Sequence, residues 1–156
     1  MNVYDFMSGC IEIEQSVANI YKQFANMFPE DKHFWTDLYR DELEHAVWLS
    51  IEENIEAMDL LPANTPLPTP ELIESTLLNI RQQTAHIWSN PVTLEDALQT
   101  ALRIESSTIE IFTNELSAKI FATTKESLQK KLIEAEKIHI NKIESLMIDR
   151  GFLQLS

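Results

Sequence analysis

The chain has 156 residues, 44% hydrophobic and 24% charged, enough for one buried core and too apolar for a disordered chain. Its 12 Lys and Arg against 25 Asp and Glu leave a net charge of −13, which argues against a nucleic-acid backbone or an anionic membrane as the main partner. Two glycines exclude glycine-rich phosphate loops and a turn-rich all-β fold, and the single Cys10 excludes an intrachain disulfide and a Cys-x-x-Cys metal or redox motif.

The N-terminal residues have neither the basic stretch nor the apolar core of a signal, and no apolar run reaches membrane-spanning length. The expectation is a soluble, cytoplasmic protein in a reducing compartment.

Apolar residues recur at helical spacing along almost the whole chain. The first stripe is Val3, Phe6, Cys10, Glu14, Val17, Tyr21, Phe24 and Phe28, stopped by Pro29. The second runs from about Asp31 to Met58 through Trp35, Leu38, Glu42, His45 and Leu49. Four prolines between Pro62 and Pro70 then forbid a helix interior. Thr69 and Pro70 read as the cap and first residue of a shorter helix to Ile87, with Ile73, Leu77, Ile80 and Thr84 on its stripe. Thr93-Leu94-Glu95-Asp96 is a helix start signal for a fourth run through Leu98, Ala101, Glu105, Ile109, Phe112 and Leu116. Thr123-Thr124-Lys125-Glu126 repeats that signal ahead of Leu128, Leu132, Glu136, His139, Ile143 and Leu146, and Gly151 reads as the closing cap. The expected fold is all-α in one domain, with a helical hairpin over 3–58, a crossover over 59–92 carrying a shorter helix, and a second hairpin over 93–150.

Each long helix carries an acid, or an acid and a histidine, inside its apolar stripe: Glu14, Glu42 with His45, Glu105, and Glu136 with His139. A carboxylate facing a core is costly unless it is paired or bound to a metal. One such residue is ordinarily a stripe-edge side chain reaching solvent. Four helices sharing the feature point to a common purpose.

Spacing and turns sharpen this. Glu42-x-x-His45 and Glu136-x-x-His139 each put two ligands one turn apart on one helix face. A third match, Glu30-x-x-His33, fails because His33 lies nine residues before Glu42, about half a rotation away. Asp37 is its expected partner. Glu14 and the Glu42/His45 pair are equidistant from Pro29, and Glu105 and the Glu136/His139 pair from a point near residue 121, so each hairpin brings one Glu level with one Glu-x-x-His.

The hairpins also read as an internal repeat. The offset is 91 residues for the lone glutamates and 94 for the Glu-x-x-His pairs. Tyr21 follows Glu14 by seven residues as Phe112 follows Glu105.

Four carboxylates and two neutral imidazoles balance two divalent cations. Such nitrogen and oxygen ligands suit iron or manganese better than thiolate-seeking metals. Glu42 and Glu136 are assigned as bridging carboxylates, Glu14 and Glu105 as terminal ligands, and His45 and His139 as one nitrogen ligand each. Tyr21 is either a group beside the metals or a core tyrosine.

With this pattern the chain resembles the ferritin-like superfamily of dinuclear carboxylate bundles, and most closely its rubrerythrin-type branch. The resemblance is carried by Glu14-Gln15-Ser16-Val17-Ala18-Asn19-Ile20-Tyr21, Asp41-Glu42-Leu43-Glu44-His45-Ala46, Glu105-Ser106-Ser107-Thr108-Ile109-Glu110-Ile111-Phe112 and Glu136-Lys137-Ile138-His139. It implies an up-down-down-up four-helix bundle whose long crossover travels the bundle's length. It also implies a di-iron oxidoreductase acting on ferrous iron, dioxygen or peroxide, of ferroxidase or peroxidase type, with zinc or manganese as other occupants.

Two departures matter. Rubrerythrins proper carry a C-terminal rubredoxin domain with four cysteines, which this chain is expected to lack, so its electron donor would be external or absent. Peroxidase-type members have an extra carboxylate near the third-helix ligand, whereas the same-face neighbours of Glu105 are Ala101, Leu102, Thr108 and Ile109. The competing readings are a non-catalytic metal-binding or metal-sensing module and a structural bundle that has lost its metal. Exposed apolar positions on the crossover suggest a homodimer.

Overall fold

The structure, a computed structural model, describes residues 3–51, 56, 69–107 and 126–153, with side chains from residue 5 in the first helix and from residue 138 in the last. Every described regular element is helical: α1 Val3–Met27, α2 Lys32–Ser50, α3 Pro70–Ser89, α4 Leu94–Glu105 and α5 Glu126–Asp149, with a 3-10 turn at Pro29–Asp31. No helix among the described residues is long and apolar enough to cross a membrane. The chain forms two compact units, Met1–Asn90 and Pro91–Ser156.

In the first unit α1 and α2 pack as an antiparallel hairpin. Pro29 cannot extend α1, and the chain reverses through the Pro29–Asp31 turn, where Asp31 N–H donates to the Phe28 carbonyl at 3.0 Å. The register follows from this turn. Trp35 meets Tyr21 and Phe24, with ring centroids 6.0 and 4.8 Å apart, and the Lys22 ammonium lies 6.0 Å from the Tyr39 ring. Phe6, Val17, Ile20, Tyr21, Phe24, Trp35, Leu38 and Leu49 have essentially no exposure. Each such side chain contributes about 1.5–3 kcal/mol through burial.

The third helix runs alongside α1 in the same direction. Ile73 lies against Gly9, and the Arg81 guanidinium donates to the Glu12 carboxylate at 3.0 Å. At about 1.5 Å per residue, its 20 residues carry the chain roughly 30 Å. Its start is the expected one: Pro70 follows the cap Thr69, whose hydroxyl oxygen accepts from Leu72 N–H at 3.2 Å. Its stripe is buried at Ile73, Leu77, Ile80 and Ile87, while Thr84 is half-buried and turns its hydroxyl to the Ile80 carbonyl at 2.8 Å. With partners in both α2 and α3, α1 buries more than the narrow stripe read from its sequence, adding Met7, Ile13, Ala18 and Ala25.

In the second unit α4 packs on α5. The start of α4 is a complete capping box. Thr93 Oγ1 accepts from Asp96 N–H at 3.1 Å, and Asp96 Oδ2 accepts from Thr93 N–H at 3.3 Å. The end of α5 is a Schellman motif. Gly151 has φ +79°, its N–H donates to Ile148, and Phe152 N–H donates to Met147 at 2.8 Å. Met147 takes the buried place at the end of the stripe, and Leu146 is half-buried.

Two helices end earlier than periodicity implies. The second was expected to run to Met58; α2 stops at Ser50, with Ile51 extended. The Ser50 hydroxyl bonds the Val47 carbonyl at 2.6 Å, a local bond that competes with helix continuation. The fourth was expected to run through Leu116, but α4 ends at Glu105, where Ser106 and Ser107 form a turn. Ile109, Phe112, Leu116 and the Thr123–Thr124 start signal lie outside the described residues.

Candidate metal centre

Three of the expected ligands come together in the first unit. Glu14 stands mid-way along α1, while Glu42 and His45 lie one turn apart on α2. The hairpin register brings them level. Glu14, Glu42 and His45 each offer one ligand atom, and the three atoms lie within 4.8 Å of one another. Both carboxyl groups have 0% exposure, and the His45 side chain retains 16%. Glu14 Oε2 is 3.6 Å from His45 Nδ1. Neither Glu14 oxygen has a hydrogen-bond partner among the described residues.

This arrangement is electrostatically demanding. Two ionised carboxylates with oxygens within 4.8 Å of one another repel by at least about 3 kcal/mol at an effective dielectric of ~20. Their burial removes the water that would otherwise solvate them. A divalent cation relieves both terms.

The spacing suits such an ion. Ligand atoms at about 2.1 Å from a metal stand about 3.4 Å apart at a tetrahedral angle and about 4.2 Å apart when opposite. The 3.6 Å contact, in a set whose ligand atoms all lie within 4.8 Å of one another, is compatible with those values. Two carboxylates and one imidazole form a mixed oxygen and nitrogen set for iron, manganese or zinc.

The second unit repeats the local geometry. Glu105 is the last residue of α4, and His139 lies on α5. Their exposures are 1% and 2%, and Glu105 Oε2 is 3.4 Å from His139 Nδ1. The nitrogen nearest the carboxylate is Nδ1 in both units. Glu136 lies on α5 one turn before His139, and its side chain is outside the described residues.

The other sequence expectations divide. Tyr21 is fully buried beside Trp35, and Cys10 is buried as a small apolar group. His33 is exposed, as its rotation away from Glu42 required, yet no ion pair joins it to Asp37. His86 is exposed at the end of α3, with Asn90 Nδ2 3.1 Å from its Nδ1. Trp35 is packed in the core, whereas Trp88 is 73% exposed.

Among the described residues, the structure adds no ligand candidate to those read from the sequence. A cavity of about 200 Å³ elsewhere in the first unit is lined by Gln23, Asn26, Met27, Ile87 and Trp88, with no titratable group. Buried Gln23 was not foreseen, because it stands off the stripe that faces α2. Comparison with protein-family models, curated proteins and solved structures finds no match for the chain.

Proposed function

We propose that the chain is a dinuclear metal protein of the rubrerythrin-like type, with the up-down-down-up ferritin-like topology. In this reading Glu14, Glu42, His45, Glu105, Glu136 and His139 hold two ions, with iron as the occupant. Glu42 and Glu136 would be the carboxylates shared by the two ions, and the other four would each serve one ion. The observation that carries the reading is the buried Glu14–Glu42–His45 set, whose Glu14 oxygens have no hydrogen-bond partner among the described residues. The Glu105–His139 contact supports it as a local repeat.

Ferrous ions held by these residues would supply the two electrons that, with two protons, the reduction of one peroxide to two waters requires. The protein's part is to hold the ions in a water-poor setting through carboxylates that neutralise their charge. Substrates of this class are ferrous iron, dioxygen and peroxide, an external donor restores the ferrous state, and the cytoplasm is the proposed compartment.

One observation favours a quieter role. Ala101 is buried on the same face of α4 as Glu105, where peroxidase-type relatives were expected to carry an extra carboxylate. On that second reading the chain binds or senses metal without turnover. It would bind two ferrous ions yet consume peroxide no faster than free iron.

Metal analysis of protein purified without chelators, then reconstituted with ferrous iron, tests the shared core of both readings. About two ions per chain are expected, with at least one lost in Glu42→Ala and in Glu136→Ala. Near-zero iron, manganese and zinc after reconstitution would sink both.

A further inference from the structure

The two ligand sets differ in ways that bear on the order in which they fill. We infer that the first metal ion to bind enters the Glu14–Glu42–His45 set of the first unit, and that the set containing Glu105 and His139 fills second. This inference rests on the dinuclear reading and goes beyond it.

One observation is chemical. Both Glu14 oxygens are buried with no hydrogen-bond partner among the described residues, and no such orphaned carboxyl oxygen occurs at Glu105. A buried carboxylate short of partners is costly in the metal-free chain, and that cost is released when a cation arrives. Glu105 instead faces His139 Nδ1 at 3.4 Å, closer than the 3.6 Å between Glu14 and His45. A cation entering there displaces more of an existing interaction.

The other observation is mechanical. Glu14 stands in the middle of a 25-residue helix, and Glu42 and His45 lie on the 19-residue helix packed against it. All three ligands are held by regular backbone before metal binds. Glu105 is the final residue of a 12-residue helix, beside the Ser106–Ser107 turn. A set held in place loses less freedom on binding than one at a helix end.

The test uses the full chain stripped of metal and titrated anaerobically with ferrous ion by calorimetry, on wild type, Glu14→Gln and Glu105→Gln. Both substitutions preserve shape. The expected result is two equivalents in wild type, the first at least ten-fold tighter. Glu14→Gln should lose the tight equivalent, and Glu105→Gln should keep it. In the metal-free state, Glu14→Gln should also raise the melting temperature by roughly 2–4 °C, through removal of a buried carboxyl group without hydrogen-bond partners among the described residues, and Glu105→Gln should not.

Two equivalents of indistinguishable affinity, or loss of the tight one in Glu105→Gln alone, would overturn the order of filling while leaving the dinuclear reading intact. No binding to wild type would overturn the reading itself. His45→Gln is the second variant for the same arm, if Glu14→Gln loses its helical signal.

Discussion

Gly9 illustrates how one residue sets a helix contact. A Cβ added there would lie 2.8 Å from Ile73 Cγ2. That methyl is fixed to a β-branched carbon, so relief requires α1 and α3 to move apart rather than a side-chain tip to swing away. Alanine gains up to about 1 kcal/mol in helix propensity, but overpacking of this kind costs about 1–3 kcal/mol. Gly9→Ala should therefore destabilise the protein by about 1 kcal/mol in urea unfolding. Gly151→Ala should cost a similar amount for a different reason: φ is +79°, nothing crowds the position, and the left-handed backbone penalises any Cβ. Restoring Gly9→Ala by Ile73→Val, which trims the far methyl only, should fail, because Cγ2 remains. A mid-helix glycine was the available sequence signal for this close approach, and only the packing of α3 reveals its partner.

At the scale of elements, side-chain caps govern where helices begin. The reciprocal box at Thr93 satisfies two backbone donors' needs, its own N–H and that of Asp96, whereas Thr69 provides one acceptor to Leu72. Thr93→Ala should cost about 1 kcal/mol by denaturant unfolding, and more than Thr69→Ala, where Pro70 still pre-sets the first turn. Asp96→Ala removes the other arm, the bond from Thr93 N–H, and no loss there would show that this arm adds nothing. These starts were legible because a cap is written in neighbouring residues. The level placement of Glu14 with Glu42 and His45 was legible too, because Pro29 fixes the turn and helix geometry does the rest. Helix ends were harder to read. Ser50 ends its helix beside a hydroxyl bond to the Val47 carbonyl, and Ser106 ends its helix through its backbone conformation; spacing alone encodes neither. The second buried side of α1 was likewise illegible, since a stripe shows one neighbour and α3 supplies another. His33 and Asp37 show the same limit for polar pairs: a four-residue spacing permits contact, but exposed side chains gain little from it.

For the whole molecule, the metal question becomes one of stability. A net charge of −13 draws cations to the surface whether or not a site exists, so stabilisation by added metal is ambiguous unless the site's chemistry is separated from general screening. Ligand type separates them. Magnesium prefers oxygen ligands and octahedral geometry and holds its water, whereas a set that includes an imidazole favours ferrous iron or manganese. Linkage sets the size of the effect: free ion at 100 times its dissociation constant adds about 2.7 kcal/mol per site if the unfolded chain does not bind it. For a chain of this length that corresponds to roughly 5–10 °C in melting temperature per ion. Anaerobic ferrous iron should therefore raise the melting temperature by at least that much, and a chelator should reverse the rise. Magnesium at equal ionic strength should give a small fraction of it, and Glu42→Ala should lose most of the iron effect while keeping the magnesium one. Equal shifts with the two metals would assign the effect to surface charge. An unchanged melting temperature with iron would leave a structural bundle, whose buried carboxyl groups must then be stabilised through protein partners alone.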